Sequence, residues 1–132
     1  MALFVETSAL FAVFDADDQN HARARAVWVE VLGRRELLIT TNYVVVESFA
    51  LAQRRLGLDA VRALHTDVLP VLRVEWVDRP LHEAGVAALL TAGRRGLSLV
   101  DCVSFEVMRR LGLQTAFAFD QDFAEQGFQC VP

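Results

Sequence analysis

The sequence predicts an α/β fold, with a parallel sheet of four to five strands and helices on both faces. Three observations carry this. A continuous apolar run, Ala2 to Val5, opens the chain, as a strand buried on both faces requires. Strand-like and helix-like segments then alternate to the end, the pattern of a parallel sheet joined by helical crossovers. Caps and stops punctuate the helical segments.

After the first strand comes a short helix over Ser8–Phe14, broken by Asp15-Ala16-Asp17-Asp18. Asp17 or Asp18 caps a longer helix running to about Leu32 and ended by Gly33. Leu37–Thr41 reads as the second strand, and Asn42 as the N-cap of a helix ending near Gly57. Leu58–Leu69 is the next helix, closed by Pro70. Val71–Val77 alternates and carries β-branched and aromatic residues, which makes it the third strand. Pro80 suits the first turn of a helix to about Ala92, before Gly93. Ser98 opens a helix that ends at Gly112, with Leu99, Val103, Val107 and Leu111 as its core stripe. Thr115–Phe119 is the fourth strand, and Phe128–Val131 a candidate short fifth. No repeat or linker divides the 132 residues, so one domain over 1–132 is expected, long enough to bury its own core.

Composition excludes several chemistries. All 13 basic residues are arginine, so P-loop and Schiff-base lysine chemistry are absent. Cys102 and Cys130 form no C-x-x-C or Cys/His pair and read as reduced thiols. His21, His65 and His82 are scattered over different helices without metal-ligand spacing, and read as surface or helix-packing residues. No G-x-S-x-G elbow or glycine-rich phosphate loop occurs. Trp28, Trp76 and Tyr43 are expected in the core or at an interface. The start lacks a basic region and is interrupted by Glu6, and no apolar run approaches the roughly 18 residues of a membrane span. A cytoplasmic protein away from membranes is expected. The hydrophobic fraction, 54%, exceeds the usual 45–50% and suggests that a partner covers apolar surface as well.

Acidic residues hold the functional signal. In a parallel α/β sheet, strand C-termini and the following helix N-termini share one edge, where ligands bind. Glu6 ends the first strand, Glu47 lies early in the helix after the second, Asp101 is in the first turn after Ser98, and Asp120 ends the fourth strand with Asp122 just beyond. Their sequence neighbours are apolar: Glu47 has Tyr43, Val44, Ala50 and Leu51 at helical spacing, and Asp120 has Phe119 and Phe123 nearby. Half-buried carboxylates without cationic partners are costly and repel one another. One divalent cation relieves both costs, and oxygen ligands without a His/Cys set favour Mg²⁺ or Mn²⁺ over zinc. Setting Glu6, Glu47, Asp101 and Asp120 aside leaves as many acidic as basic residues, against a net charge of −4 for the chain. Singly, each acid has a plainer explanation: Ser98 to Asp101 is also a capping box, and Glu6, Asp120 and Asp122 are placed to cap helices. Jointly, one metal site accounts for all of them.

The motifs Val5-Glu6-Thr7-Ser8-Ala9-Leu10, Glu47 in Val-Val-Val-Glu-Ser, Ser98-Leu99-Val100-Asp101-Cys102-Val103-Ser104-Phe105 and Ala118-Phe119-Asp120-Gln121-Asp122-Phe123 occur in that order. Over nearly the whole chain this resembles the PIN-domain nucleases, especially the toxin ribonucleases of VapBC-type toxin–antitoxin modules. The resemblance implies a three-layer α/β/α fold and a Mg²⁺- or Mn²⁺-dependent endoribonuclease acting on RNA. Glu6, Glu47, Asp101 and Asp120 would be its catalytic acids and metal ligands. Asp122 would add a water or metal contact, and Thr7 or Ser8 a supporting hydroxyl. It further implies a cognate antitoxin protein and a homodimer. A solitary RNA-processing nuclease and a silent interaction module are the alternatives. One departure stands out: the first family acid is normally aspartate, and Glu6 is one methylene longer, a change that would favour the geometrically tolerant Mn²⁺.

The doublets Arg34-Arg35, Arg54-Arg55, Arg94-Arg95 and Arg109-Arg110 are candidate phosphate contacts. Three lie at or near helix C-termini, where arginine also complements the dipole.

Overall fold

A computed structural model describes residues 2–132. Five parallel strands form one sheet in the order β3-β2-β1-β4-β5. The strands are β1 (Ala2–Val5), β2 (Leu37–Thr41), β3 (Arg73–Glu75), β4 (Thr115–Phe117) and β5 (Gln129–Val131). Between β1 and β2 lie α1 (Thr7–Phe14) and α2 (His21–Gly33), and after β2 come α3 (Asn42–Leu56) and α4 (Leu58–Ala63). Then α5 (Arg79–Ala92) and α6 (Leu99–Leu111) lead to β4, and α7 (Gln121–Glu125) to β5. The chain steps outward from β1 through β2 to β3, then returns to pair β4 with β1. Right-handed crossovers in opposite directions place the two sets of helices on opposite faces. The α/β expectation holds, and the fifth strand is present.

The direction reverses between β1 and β4, the position at which α/β sheets open a ligand crevice. The pairing continues one residue past β1, because the Glu6 N–H donates to the carbonyl of Phe117, the last residue of β4, at 3.1 Å. Phe4, Val5, Phe117 and Phe123 are fully buried around this centre. Phe123 meets Phe105 edge-on at 4.8 Å between ring centroids, which anchors the short α7 to the core despite its single turn of backbone bonds. On the far side, α5 and α6 meet at Gly85, where a Cβ would sit 2.5 Å from Val103 Cγ2. The helices approach as closely as glycine permits.

Several boundaries differ from expectation, each for a local reason. Thr41, not Asn42, caps α3: its hydroxyl accepts the Val44 N–H at 3.2 Å. Asn42 instead accepts the Val77 N–H at 2.7 Å, which removes Val77 from the ladder and limits β3 to three residues. Helix α2 begins at His21, because Asp18 turns its carboxylate to the Asn20 N–H at 2.8 Å. The segment expected as one helix over Leu58–Leu69 widens into a π turn at Leu64–Val68 and tightens to a 3₁₀ turn at Leu69–Val71, where Pro70 offers no N–H. Strand β4 stops at Phe117, and the Phe119 N–H goes to Ser8 Oγ at 3.0 Å. Trp76 is 76% exposed and lies outside the core, and Leu111 ends the α6 stripe half-exposed, while Val103 and Val107 are buried. Two histidines pack between helices, His21 against the Ala12 carbonyl and His82 against the Tyr43 hydroxyl, while His65 is exposed.

Candidate active site

Three carboxylates converge at the β1/β4 crevice. Glu6, Asp101 and Asp120 each place an oxygen within 4.8 Å of the others, although they come from three distant parts of the chain. Each is delivered by a helix start. Glu6 is the N-cap of α1 and accepts the Ser8 N–H at 2.9 Å through Oε2. Asp101 is the third residue of α6 and exchanges bonds with Ser98, the Ser98 N–H reaching Asp101 Oδ2 at 3.2 Å and the Asp101 N–H reaching Ser98 Oγ at 3.1 Å. Asp120 caps α7, its Oδ1 accepting the Asp122 N–H at 2.9 Å. The helix caps and the three-acid cluster are therefore built from the same residues. One oxygen of each carboxylate orders a helix, and the other takes no hydrogen bond among the described residues.

Ser8 does more than end a turn. Its hydroxyl donates to Glu6 Oε2 while accepting the Phe119 N–H at 3.0 Å, so one side chain ties the end of β1 to the segment leading into Asp120. The Thr7 hydroxyl is buried and has no partner among the described residues.

Burial sets the electrostatics. Glu6 is 5% exposed, and desolvation pushes its pKa up to about 8 against the opposing pull of the Ser8 bonds, with Asp101 and Asp120 adding repulsion. Desolvation also raises Asp101 and Asp120 above the ordinary aspartate range, opposed by their backbone hydrogen bonds. Without a cation, burial of Glu6 favours its protonated form at neutral pH. It suits a hard divalent ion: every donor is a carboxylate oxygen, and no His or Cys belongs to the group.

The remaining predicted residues stand apart. Glu47 lies on α3 across an open pocket from Glu6, outside the three-acid cluster, though close enough to add repulsion at Asp101. Asp122 is bound by Arg94 at 2.7 Å, and Arg94 also reaches Glu125 at 3.4 Å. That arginine comes from the loop between α5 and α6, and nothing in its local sequence announced the pairing.

A family model of the PIN domain matches residues 3–129. The chain belongs to the PIN-domain family. Among curated proteins, the 23S rRNA-specific endonuclease VapC20 of Mycobacterium tuberculosis is 38% identical over 127 residues, covering 96% of this chain and 95% of that protein. The crystal structure of that VapC20, described as a sarcin–ricin loop cleaving toxin, superposes with a TM-score of 0.85 at 36% identity, over 96% of this chain and 95% of the other. FitAcB from Neisseria gonorrhoeae shares the fold, with a TM-score of 0.71 at 16% identity over 100% of this chain and 97% of that one. This PIN domain is an endoribonuclease of the VapC toxin type. PIN-domain nucleases depend on a metal ion, and the three-carboxylate cluster fits one. Among the described residues, no helix is long and apolar enough to cross a membrane.

Proposed function

We propose that this PIN domain, a single domain over residues 1–132, is a cytoplasmic toxin that cuts ribosomal RNA at a structured loop, as its relative VapC20 is named for doing. The observation that carries the reading is the convergence of Glu6, Asp101 and Asp120 at the β1/β4 crevice. These three would hold Mg²⁺ or Mn²⁺. When bound, the ion supplies a nucleophilic water at neutral pH and stabilises the charge that builds on the phosphate. The protein does the rest. Ser8 and Ser98 fix the orientation of Glu6 and Asp101, so the ligand oxygens need little rearrangement. Phe123 and Phe105 hold α7, and with it Asp120, against the core. Glu47 lines the same pocket from α3, which supports a role in orienting a water or accepting its proton. Asp122, engaged by Arg94, braces α7 and leaves the ligand positions to Asp120. The longer Glu6 side chain still reaches the other two acids, which supports a working site over a silent module.

The VapC likeness also supports a cognate antitoxin and a homodimer. Trp76 and Leu90, 76% and 74% exposed, are apolar surface of the kind such partners cover.

The deciding experiment is cleavage of mixed ribosomal and transfer RNA by antitoxin-free protein, with Mg²⁺, Mn²⁺ or chelator. Discrete metal-dependent products, absent with Asp101→Asn, are expected. Equal cleavage by that variant would remove the site assignment, and transfer RNA products alone would remove the ribosomal target.

A further inference from the structure

The acid cluster poses a problem for its substrate: RNA phosphates are repelled by carboxylates and by a chain of net charge −4. A local cation beside the crevice would solve it. Most arginines near the crevice are already engaged. Arg94 is bound to Asp122 and Glu125. Arg23 lies over the Phe119 ring at 5.7 Å and Arg55 over Phe11 at 5.5 Å.

Arg54 differs. It is exposed, takes part in no ion pair among the described residues, and lines the same open pocket as Glu6 and Glu47. On α3, Glu47, Ala50, Leu51 and Arg54 recur at the spacing of one helical face and form one wall of that pocket, opposite Glu6, Thr7 and Ser8. Seven positions of helix raise Arg54 above Glu47 by roughly 10 Å along the backbone, and no ion pair joins Arg54 to an acid among the described residues. Ala50 and Leu51 between them offer apolar surface to a ribose or base.

We propose that this face of α3 is a subsite for RNA in which Arg54 binds a backbone phosphate flanking the scissile bond. The inference rests on the endoribonuclease reading and adds where the strand enters. A guanidinium on a phosphate reads charge and no base, so the subsite holds substrate without choosing sequence. Arg54 is thus a substrate-binding residue, and Arg55, its neighbour in the doublet, is a packing residue.

The test compares Arg54→Ala and Arg54→Lys with Arg62→Ala, whose arginine is exposed on α4 and paired with Asp59. Cleavage kinetics are measured in the active protein, and RNA binding in an Asp101→Asn background across a salt series. Arg54→Ala should raise KM about tenfold with little change in kcat, and lower the log–log salt slope of binding by about 0.7–0.9. Arg54→Lys should recover most of both, and Arg62→Ala should match the parent. An Arg54→Ala protein with parental KM and salt slope overturns the subsite, as does a fall in kcat alone. Melting curves confirm that each variant is folded. Cleavage by the parent protein tests the nuclease reading independently, so failure of either is recognisable by itself.

Discussion

Asp101 and Ser98 exchange hydrogen bonds across the first turn of α6, and the same Asp101 carboxylate faces Glu6 and Asp120 at the sheet edge. A local folding signal and a member of the acid cluster thus share a single side chain. Replacing Asp101 with Asn keeps an acceptor for the Ser98 N–H and removes the charge. Cleavage should fall by a factor on the order of 10² or more, while stability in chelator changes by about 1 kcal/mol or less. RNA gel assays and thermal melts measure the two effects separately.

The burial of Glu6 makes the metal-free protein sensitive to pH. Its pKa is about 8 in the folded state against 4.5 ordinarily. Between those values the folded chain binds a proton that the unfolded chain has lost, so stability is complete below the lower value and declines as pH rises through the upper one. Asp101 and Asp120, also raised, act in the same direction. In chelator, Tm should drop between pH 5 and pH 8, and Glu6→Gln should flatten that drop. A Tm that rises over this interval would contradict the buried, metal-free acid.

Divalent ions should reverse the trend. Mn²⁺ held by deprotonated carboxylates would bind the folded state alone, so its stabilisation should grow with pH over the same interval. At a concentration 100 times its Kd the gain is about 2.7 kcal/mol. Melts in Mn²⁺, Mg²⁺ and chelator at pH 6 and pH 8 measure it. Equal Tm in all three at pH 8 would argue against an ion at this site.

Ser8→Ala removes the hydroxyl between Glu6 and the Phe119 N–H. The orphaned N–H should cost about 1–3 kcal/mol. Loss of the Glu6 support should weaken Mn²⁺ binding about 10–100-fold. Calorimetry with Mn²⁺ separates the second effect from the first, and Ser8→Thr should restore part of both.

At the α5/α6 contact, Gly85→Ala introduces a Cβ 2.5 Å from Val103 Cγ2. Overpacking of about 1–3 kcal/mol is expected, and it should shift Tm without changing metal affinity. The added Val103→Ala change should relieve part of the loss, which a double-mutant cycle would show.

Nearest neighbours along the chain were enough to set the secondary-structure elements. The apolar run at Ala2–Val5, the Ser98–Asp101 box, and the glycine stops at Gly93 and Gly112 are short-range signals, and each element they announce is present. They also suffice to bring Glu6, Asp101 and Asp120 to one edge, because a parallel sheet aligns strand ends and helix starts without further information. Tertiary structure decided which of the acids meet and which basic groups they meet. Glu47 stands off on α3, Asp122 is taken by Arg94 from 28 positions away, and Arg55 lies over Phe11 while Arg54 is left facing the pocket. Trp76 is carried to the surface by a strand that ends early. A helical period fixes the face on which a side chain stands. The group found opposite that face depends on packing between segments far apart in the chain, and no local pattern encodes it.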